Sequence, residues 1–310
     1  MSIDEKNTAL TKTDGKPAFI KRFFYNIRGC LSLLYITLNT IIFFFPLLIF
    51  SLIKLIPFIP LQRICTKIII VIATLWINNN TFLFKILLRV NVSVKGEVNL
   101  TMKDWYLVIS NHQSWSDIII LQMVFTGKIP LLKFFIKQEL IWVPLLGIAW
   151  WGLDFPFMKR YSPEFIEKHP HLKGKDIEIT KKACEKFNLT PVSVMNFVEG
   201  TRFTDKKHKR QKSPYNNLLK PKAGGAGFVF TAMGNLINSI LNVTIKYPEK
   251  DLNFWHFLCG RITKVIFLIE HINVTDKLIG DYESDAKYQA GFKKWINDLW
   301  GRKDKVFEKM

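Results

Sequence analysis

Cysteine is scarce in this chain: four in 310 residues (Cys30, Cys65, Cys184 and Cys259), none in a C-x-x-C pair or beside a histidine. That scatter excludes a disulfide framework and a cysteine-bound zinc site, and leaves reduced thiols in the core or facing lipid. Acidic residues are also few, 25 against 44 Lys and Arg, so the formal net charge is +19. Such an excess attracts polyanions: nucleic acid, anionic lipid or phosphorylated small substrates. The chain has no internal repeat, no G-x-S-x-G elbow of the kind that marks a serine hydrolase, and no recognisable nucleic-acid reading module. What it does not lack is hydrocarbon. With 49% hydrophobic residues and 26 Phe, disorder is excluded for most of its length.

The longest apolar run reads "LSLLYITLNTIIFFFPLLIFSLI", residues 31–53, without a charge. At about 1.5 Å per residue it is long enough to cross a hydrocarbon core about 30 Å thick. It is too long for the core of a signal peptide, and no small-x-small cleavage site follows it. "LIKLIPFIP" then turns the chain, and "IIIVIATLW" (68–76) begins a second apolar stretch that "NNN" (78–80) interrupts. Lys12, Lys16, Lys21, Arg22 and Arg28 precede the first run, and Lys54, Arg63, Lys67, Lys85 and Arg89 follow it. Positive charge on both flanks predicts a hairpin with both ends on the cytoplasmic side, as at a bacterial inner membrane.

Beyond about residue 93 the texture changes. "WYLVIS" (105–110), "LLKFFI" (131–136), "FPFM" (155–158), "VSVMNFV" (192–198), "NVTIKY" (242–247) and "VIFLIE" (265–270) read as strands. Helical patterns fall over Asp117 to Phe125, Asp176 to Phe187, Gly225 to Met233, and from Glu283 to the end. Alternation of this kind predicts an α/β layered domain, a mixed sheet flanked by helices. The expected divisions are a basic segment (1–28), membrane-anchoring helices (29–92) and the α/β domain (93–310). "KKHKR" (206–210) reads as a solvated loop. "LIWVPLLGIAWWGLDFPF" (140–157) is broken by Pro144, Gly147, Gly152 and Pro156. A third span, core packing and a hydrocarbon-binding wall all fit it; its three tryptophans favour a greasy surface dipping into the membrane interface.

"LVISNHQSWSD" (107–117) passes in eleven residues from hydrocarbon to a histidine and a carboxylate. The spacing H-x-x-x-x-D recurs at His171/Asp176 and His271/Asp276, so spacing alone decides nothing. His171 lies in the charged "KHPHLKGKD", and an extended chain would hold His271 and Asp276 about 16 Å apart. Only His112 follows an apolar strand and precedes a helix, the position beyond a strand's carboxyl end where α/β sheets place chemistry. A turn and one helical turn would let Asp117 accept from the imidazole, fix its tautomer and leave the other nitrogen as general base. The competing account is a helix start, since Ser114-x-x-Asp117 is a capping-box pattern. After the strand "VSVMNF" comes "VEGTR": a Gly–Thr turn with free N–H groups, and the planar fork of Arg202, suited to phosphate oxygens.

"NHQSWSD" and "FVEGTR", 87 residues apart, together with "KQELIWVPLLGIAWWGLDFPFMKR" (137–160) and "LLKPKAGG" (218–225), resemble four blocks of the glycerolipid acyltransferases of the 1-acylglycerol-3-phosphate acyltransferase family. The resemblance spans about residues 93 to 250. It implies that His112 is the base and Asp117 its orienter, and that Glu199, Gly200, Thr201 and Arg202 meet the acceptor's glycerol phosphate. Lys137 and Arg160 would add cationic contacts, and Pro144 and Gly147 would shape the wall beside the acyl chain. Val198 stands where many members have Pro. "EGTRFT" with "LLKPK" is closer to the branch of lysocardiolipin-type enzymes, while Asn242 and Lys246 depart from the usual fourth block.

The implied reaction is direct acyl transfer from acyl-CoA or acyl-carrier protein to the 2-hydroxyl of a lysophospholipid, with no covalent intermediate and no cofactor. Anionic membrane lipids complete the expected partners, and no nucleic acid is among them. One rival reading needs no catalysis: a basic protein coating anionic membrane would use the charge and the anchor but not His112. Nothing in the sequence sets the acceptor head group, the acyl length or the oligomeric state.

Overall fold

The computed structural model describes residues 15–96, 99–158, 187, 190–282 and 284–310. Arg160, the His171/Asp176 pair, Cys184 and the helix expected from Asp176 onward to Phe187 lie outside them, apart from Phe187 itself.

The apolar front end folds as two helices, α1 (Gly15–Ile53) and α2 (Ile59–Phe82), the second continued by a short π-helical turn over Leu83–Leu87. Pro60 opens α2 within its first turn, where the missing N–H costs nothing. The NNN triplet does not interrupt α2. Asn39 donates to the Asn80 side chain at 2.9 Å, and Asn79 returns a bond to Asn39 at 3.1 Å. Amides without water nearby are stable only when paired, so the triplet clamps the hairpin rather than breaking it. Along the opposite face of α1, Leu31, Leu34, Leu38, Ile42, Phe45 and Ile49 are exposed, at steps of three and four residues. Such a stripe has no partner among the described residues.

The α/β body holds a six-stranded mixed sheet in the order β1–β8–β7–β2–β6–β3. Its strands are β1 (Asn91–Lys95), β2 (Trp105–Ser110), β3 (Leu132–Phe134), β6 (Ser193–Phe197), β7 (Ile237–Lys246) and β8 (Lys264–Asn273). Only the β7–β8 pair is antiparallel. Strand β1 falls outside the expected set because "NVSVK" is short and polar. The expected strand 131–136 divides at Phe135: β3 joins the main sheet, while β4 (Ile136–Lys137) pairs with β5 (Phe157–Met158).

Side chains alternate along β2. Tyr106 and Val108 join one buried cluster with α3 (Ser116–Phe125) and α7 (Phe254–Leu258), and Leu107 and Ile109 join another with α6 (Ala223–Met233) and α8 (Ala286–Lys309). Both faces are covered, so each buried aliphatic side chain contributes about 1.5–3 kcal/mol. Helix α8 is capped by Asp285, which accepts the N–H groups of Lys287 and Tyr288.

The charged run and the broken apolar segment can now be placed. The KKHKR run is not a loop but lies in helix α5 (Asp205–Gln211), started by Thr204, whose hydroxyl accepts from the Lys207 N–H. The segment 140–157 is no span: its longest helix, α4 (Leu146–Gly152), has seven residues. Of the readings open to it, part is packing, on α1, with Gly152 against Ser51 and Lys54 paired to Asp154. Trp142, at 86% exposed, points away from the protein.

Candidate active site

Strands β2 and β6 are parallel neighbours with Ser110 opposite Phe197. His112 and Glu199 therefore both lie two residues past a paired position, at the carboxyl ends of adjacent strands. A backbone bond joins the two turns: the N–H of Phe203 donates to the carbonyl of His112 at 2.7 Å. Sheet register, rather than sequence distance, brings the two motifs together.

His112 Nδ1 lies 2.8 Å from Asp117 Oδ2. The same oxygen accepts the N–H groups of Gln113 (2.6 Å) and Ser114 (3.0 Å), while Oδ1 accepts the hydroxyl of Tyr247 at 2.6 Å. Asp117 is wholly buried. Four donors around one carboxylate leave it no freedom to turn. Burial, with the neighbouring Asp117 charge, pushes the Tyr247 phenol well above its usual range, so its proton stays on oxygen and Tyr247 can only donate. His112 Nε2 makes no hydrogen bond within the described residues. The ring stacks on Phe197 with centroids 3.9 Å apart, and the stack continues through Phe134 to Phe155.

The capping account holds as well. The Ser114 N–H to Asp117 bond is one half of a capping box, and Ser114 Oγ accepts from the Ser116 N–H at 3.3 Å. Asp117 thus starts α3 and fixes the imidazole with the same oxygen. Asn111 exchanges two 2.9 Å bonds with the backbone of Ile245, locking the end of β2 to β7.

In the second motif Gly200 adopts φ +68°, a left-handed conformation that a side chain would strain. Thr201 accepts a 2.7 Å bond from Lys207 Nζ, which also donates to the Arg202 carbonyl at 3.0 Å. The Arg202 guanidinium lies 4.3 Å from the centroid of the exposed Trp115 ring, so stacking pre-orients its donor fork. Lys222 runs past Gly200, its Nζ 3.5 Å from where a Cβ would stand. Glu199 is wholly buried, and among the described residues neither carboxyl oxygen has a partner in good hydrogen-bond geometry. Burial pushes this carboxyl well above the usual carboxylate range, against the pull of Lys303 and of the Leu219 and His112 N–H groups.

Lys137 is exposed on β4, and Pro144 is exposed between the 3₁₀ turn Gln138–Trp142 and α4. Gly147 is buried with the Ile141 carbonyl only 1.9 Å from where a Cβ would be, so only glycine fits there. The His271/Asp276 pair gives no second site, since His271 lies within β8 and bonds Ser239. Sequence reasoning missed Tyr247, Lys207 and the role of Trp115. Trp115 sits inside the first motif, and Tyr247 ends the strand segment "NVTIKY", so a strand-end aromatic was the available signal.

A histidine–carboxylate dyad and a cationic turn thus stand together at the carboxyl ends of parallel strands of an α/β domain, an arrangement able to move a proton beside an anion. Residues 91–244 match the family profile described as Acyltransferase. The chain belongs to that acyltransferase family. It is 29% identical over 119 residues to human 1-acyl-sn-glycerol-3-phosphate acyltransferase alpha, covering 38% of this chain and 37% of that protein. It is 31% identical over 129 residues to the Saccharomyces cerevisiae 1-acyl-sn-glycerol-3-phosphate acyltransferase, covering 41% and 38%. The matched stretch thus spans less than half the length of these relatives. The crystal structure of the 1-acyl-sn-glycerophosphate (LPA) acyltransferase of Thermotoga maritima shares the fold, with a TM-score of 0.52 and 18% identity over 92% of this chain and 98% of that one.

Proposed function

We propose that the chain is a membrane-anchored O-acyltransferase that moves an acyl chain from acyl-CoA or acyl-carrier protein to the sn-2 hydroxyl of 1-acylglycerol-3-phosphate, giving phosphatidic acid. The observation that carries this reading is the 2.8 Å His112–Asp117 pair with Nε2 unbonded, tied through Phe203 to the turn bearing Arg202. His112 Nε2 takes the proton of the acceptor hydroxyl as its oxygen attacks the thioester carbonyl. The tetrahedral intermediate then collapses, the C–S bond breaks, and the imidazolium returns the proton to the departing thiolate. Base assistance of this kind contributes about 10² to 10⁴ in rate. Thr201 and Arg202, with Lys137 and Arg160, hold the acceptor phosphate, and the Phe197–Phe134–Phe155 stack leads toward the segment with Pro144 and Gly147 that lines the acyl chain.

Contact geometry bears on how the hairpin meets the membrane. Helix α1 touches the α/β body near Asn26, bonded to Trp255, and again at Ser51, against Gly152. Those 25 residues correspond to about 38 Å of helix, more than the roughly 30 Å hydrocarbon core. The hairpin therefore lies along the body, its exposed stripe facing the acyl chains of one leaflet, where both lipid substrates reside. The arginines and lysines near the anchor suit the anionic, cytoplasmic face.

The test is lipid mass spectrometry of the purified chain offered a panel of lysophospholipids and acyl donors, beside His112→Ala. Acylation of 1-acylglycerol-3-phosphate by the parent, reduced at least about 100-fold in the variant, is expected. Undiminished transfer by His112→Ala, or none by the parent with any acceptor, defeats the proposal. Preference for lysophosphatidylglycerol or lysocardiolipin would move the chain to the branch its EGTRFT motif resembles.

A further inference from the structure

We propose that Lys222 is an acceptor-binding residue that selects the head group: lying across Gly200, it takes the third oxygen of a phosphomonoester whose other two are held by Arg202. The inference rests on the proposed acyl transfer for its kinetic arm, and goes beyond it in naming what distinguishes a monoester acceptor from a diester.

Lys222 belongs to "LLKPKAGG", the block that leads into α6. Its N–H donates to the Val198 carbonyl at 2.7 Å, which fixes its backbone to the end of β6. The residue is exposed, yet its side chain runs along Gly200. A Cβ on that glycine would stand 3.1 Å from Lys222 Cδ, 3.6 Å from Cε and 3.5 Å from Nζ. Gly200 therefore meets two demands at once: the left-handed φ of +68°, and a bare backbone that a lysine can cross. A lysine laid along a turn gives up rotamer freedom that one extended into water keeps.

Cations are in excess around this turn. Residues 200–222 hold eight Lys and Arg and one acid, Asp205, while Glu199 just before them is wholly buried. Lys207 directs its ammonium to the turn itself, donating to Thr201 Oγ and to the Arg202 carbonyl. Arg202 stacks on Trp115, which covers one face of the guanidinium and leaves its N–H fork free. Lys222 has no ion pair and no side-chain hydrogen bond among the described residues. Three like charges thus meet at three consecutive residues, Gly200 to Arg202, and repel one another unless an anion answers them.

The two unengaged cations fit one kind of anion. A phosphomonoester presents three terminal oxygens and about 1.5 to 2 negative charges near pH 7. A phosphodiester, as in a nucleic-acid backbone, presents two terminal oxygens and about one charge. Arg202 is a planar fork for two oxygens, and Lys222 a point charge for a third. With a diester, the position that Lys222 faces is an ester oxygen carrying a substituent, a poorer acceptor.

The experiment compares the full-length parent with Lys222→Met, which keeps an apolar stem over Gly200, and Lys222→Arg, which keeps the charge. It reads kcat, the thioester KM, and the acceptor KM for 1-acylglycerol-3-phosphate and for lysophosphatidylglycerol. The rise in melting temperature given by glycerol 3-phosphate is measured separately. Lys222→Met is expected to raise the monoester KM at least about tenfold, as for a lost charge-assisted hydrogen bond, with the diester and thioester KM within about threefold of the parent. Lys222→Arg should recover most of that loss. A lysine that only packs on the turn would yield to methionine without change, so a monoester KM within about twofold of the parent overturns the proposal. So does an equal rise for monoester and diester, or a parent that prefers the diester. Should Lys222→Met not fold, Lys222→Gln is read in its place, and failure of both to fold overturns the assignment in favour of a structural role. If the parent transfers no acyl chain, the proposed function fails and the melting temperatures decide on Lys222. Stabilisation by glycerol 3-phosphate that Lys222→Met loses then supports the assignment; equal stabilisation of both, or none, overturns it.

Discussion

Tyr247→Phe removes one hydroxyl and changes little else. Its oxygen donates at 2.6 Å to Asp117 Oδ1, and both residues are buried, so no water replaces the lost donor. A hydrogen bond to a charged group contributes about 1.5–3 kcal/mol, and its loss leaves the acceptor's desolvation uncompensated. Asp117 Oδ2 keeps its three contacts, so the dyad and the start of α3 persist and the variant folds. What it loses is the restraint on the carboxylate's second oxygen, and with it the fixed plane in which Asp117 presents Oδ2 to the imidazole. If the whole effect reaches the transition state, about 1.5–3 kcal/mol corresponds to about a 12- to 160-fold fall in kcat. Tyr247 is buried and bonds Asp117, so both KM values should hold, the pattern of an interaction realised in the transition state. The assay is release of the donor thiol under saturating acceptor, with thermal unfolding measured in parallel. A stability loss of the expected size with kcat within about twofold of the parent would show that Tyr247 supports the strand end and not the base.

Arg202→Ala should raise the acceptor KM at least about tenfold and leave the thioester KM nearly unchanged, because a lost charge-assisted hydrogen bond is worth that much; equal effects on both substrates, or on neither, argue against the phosphate assignment. Leu38→Lys with Ile42→Lys places two charges on the exposed stripe of α1 and should release the chain from anionic vesicles in a flotation assay, at about 2.5–3.5 kcal/mol per lysine if the stripe sits in hydrocarbon. Undiminished flotation would show that the stripe faces something other than lipid.

The sequence carried the body's architecture where local and global signals agreed. "WYLVIS" and "VSVMNFV" are apolar, β-branched and bounded by polar turns, and they form β2 and β6. It misled where the partner of a polar residue is remote in the chain. The NNN triplet reads as a break because asparagine disfavours a helix interior, yet Asn39, some forty residues earlier, answers it from the neighbouring helix. KKHKR reads as solvated loop by charge, while the Thr204 cap just before it starts a helix. The site divides in the same way. His112 and Asp117 lie within one turn and could be paired from spacing and context, but Tyr247 reaches Asp117 across 130 residues through the β2–β7 contact, and no local pattern encodes that bond.

The departures from the usual fourth block acquire a physical meaning from their position in β7. Asn242 lies on the same side of the strand as Thr244, opposite the face where Leu241, Val243 and Ile245 join the apolar cluster, and it bonds Glu270. Lys246, two residues past Thr244 on that alternation, reaches the Phe307 carbonyl of the C-terminal helix, and Lys303 of the same helix reaches the Val243 carbonyl between them. A strand face that would ordinarily be hydrocarbon is polar here, and the helix covering it carries the complementary groups. Polar groups buried at such an interface gain little net stability over a hydrocarbon one, but they dictate which helix residue meets which strand residue. That register matters at this end of the sheet because Val243 stands opposite Ser110 of β2, two residues before His112. Sliding α8 by one turn would move the Lys303 ammonium about 5.4 Å and take it off the Val243 carbonyl, leaving a buried cation without its acceptor.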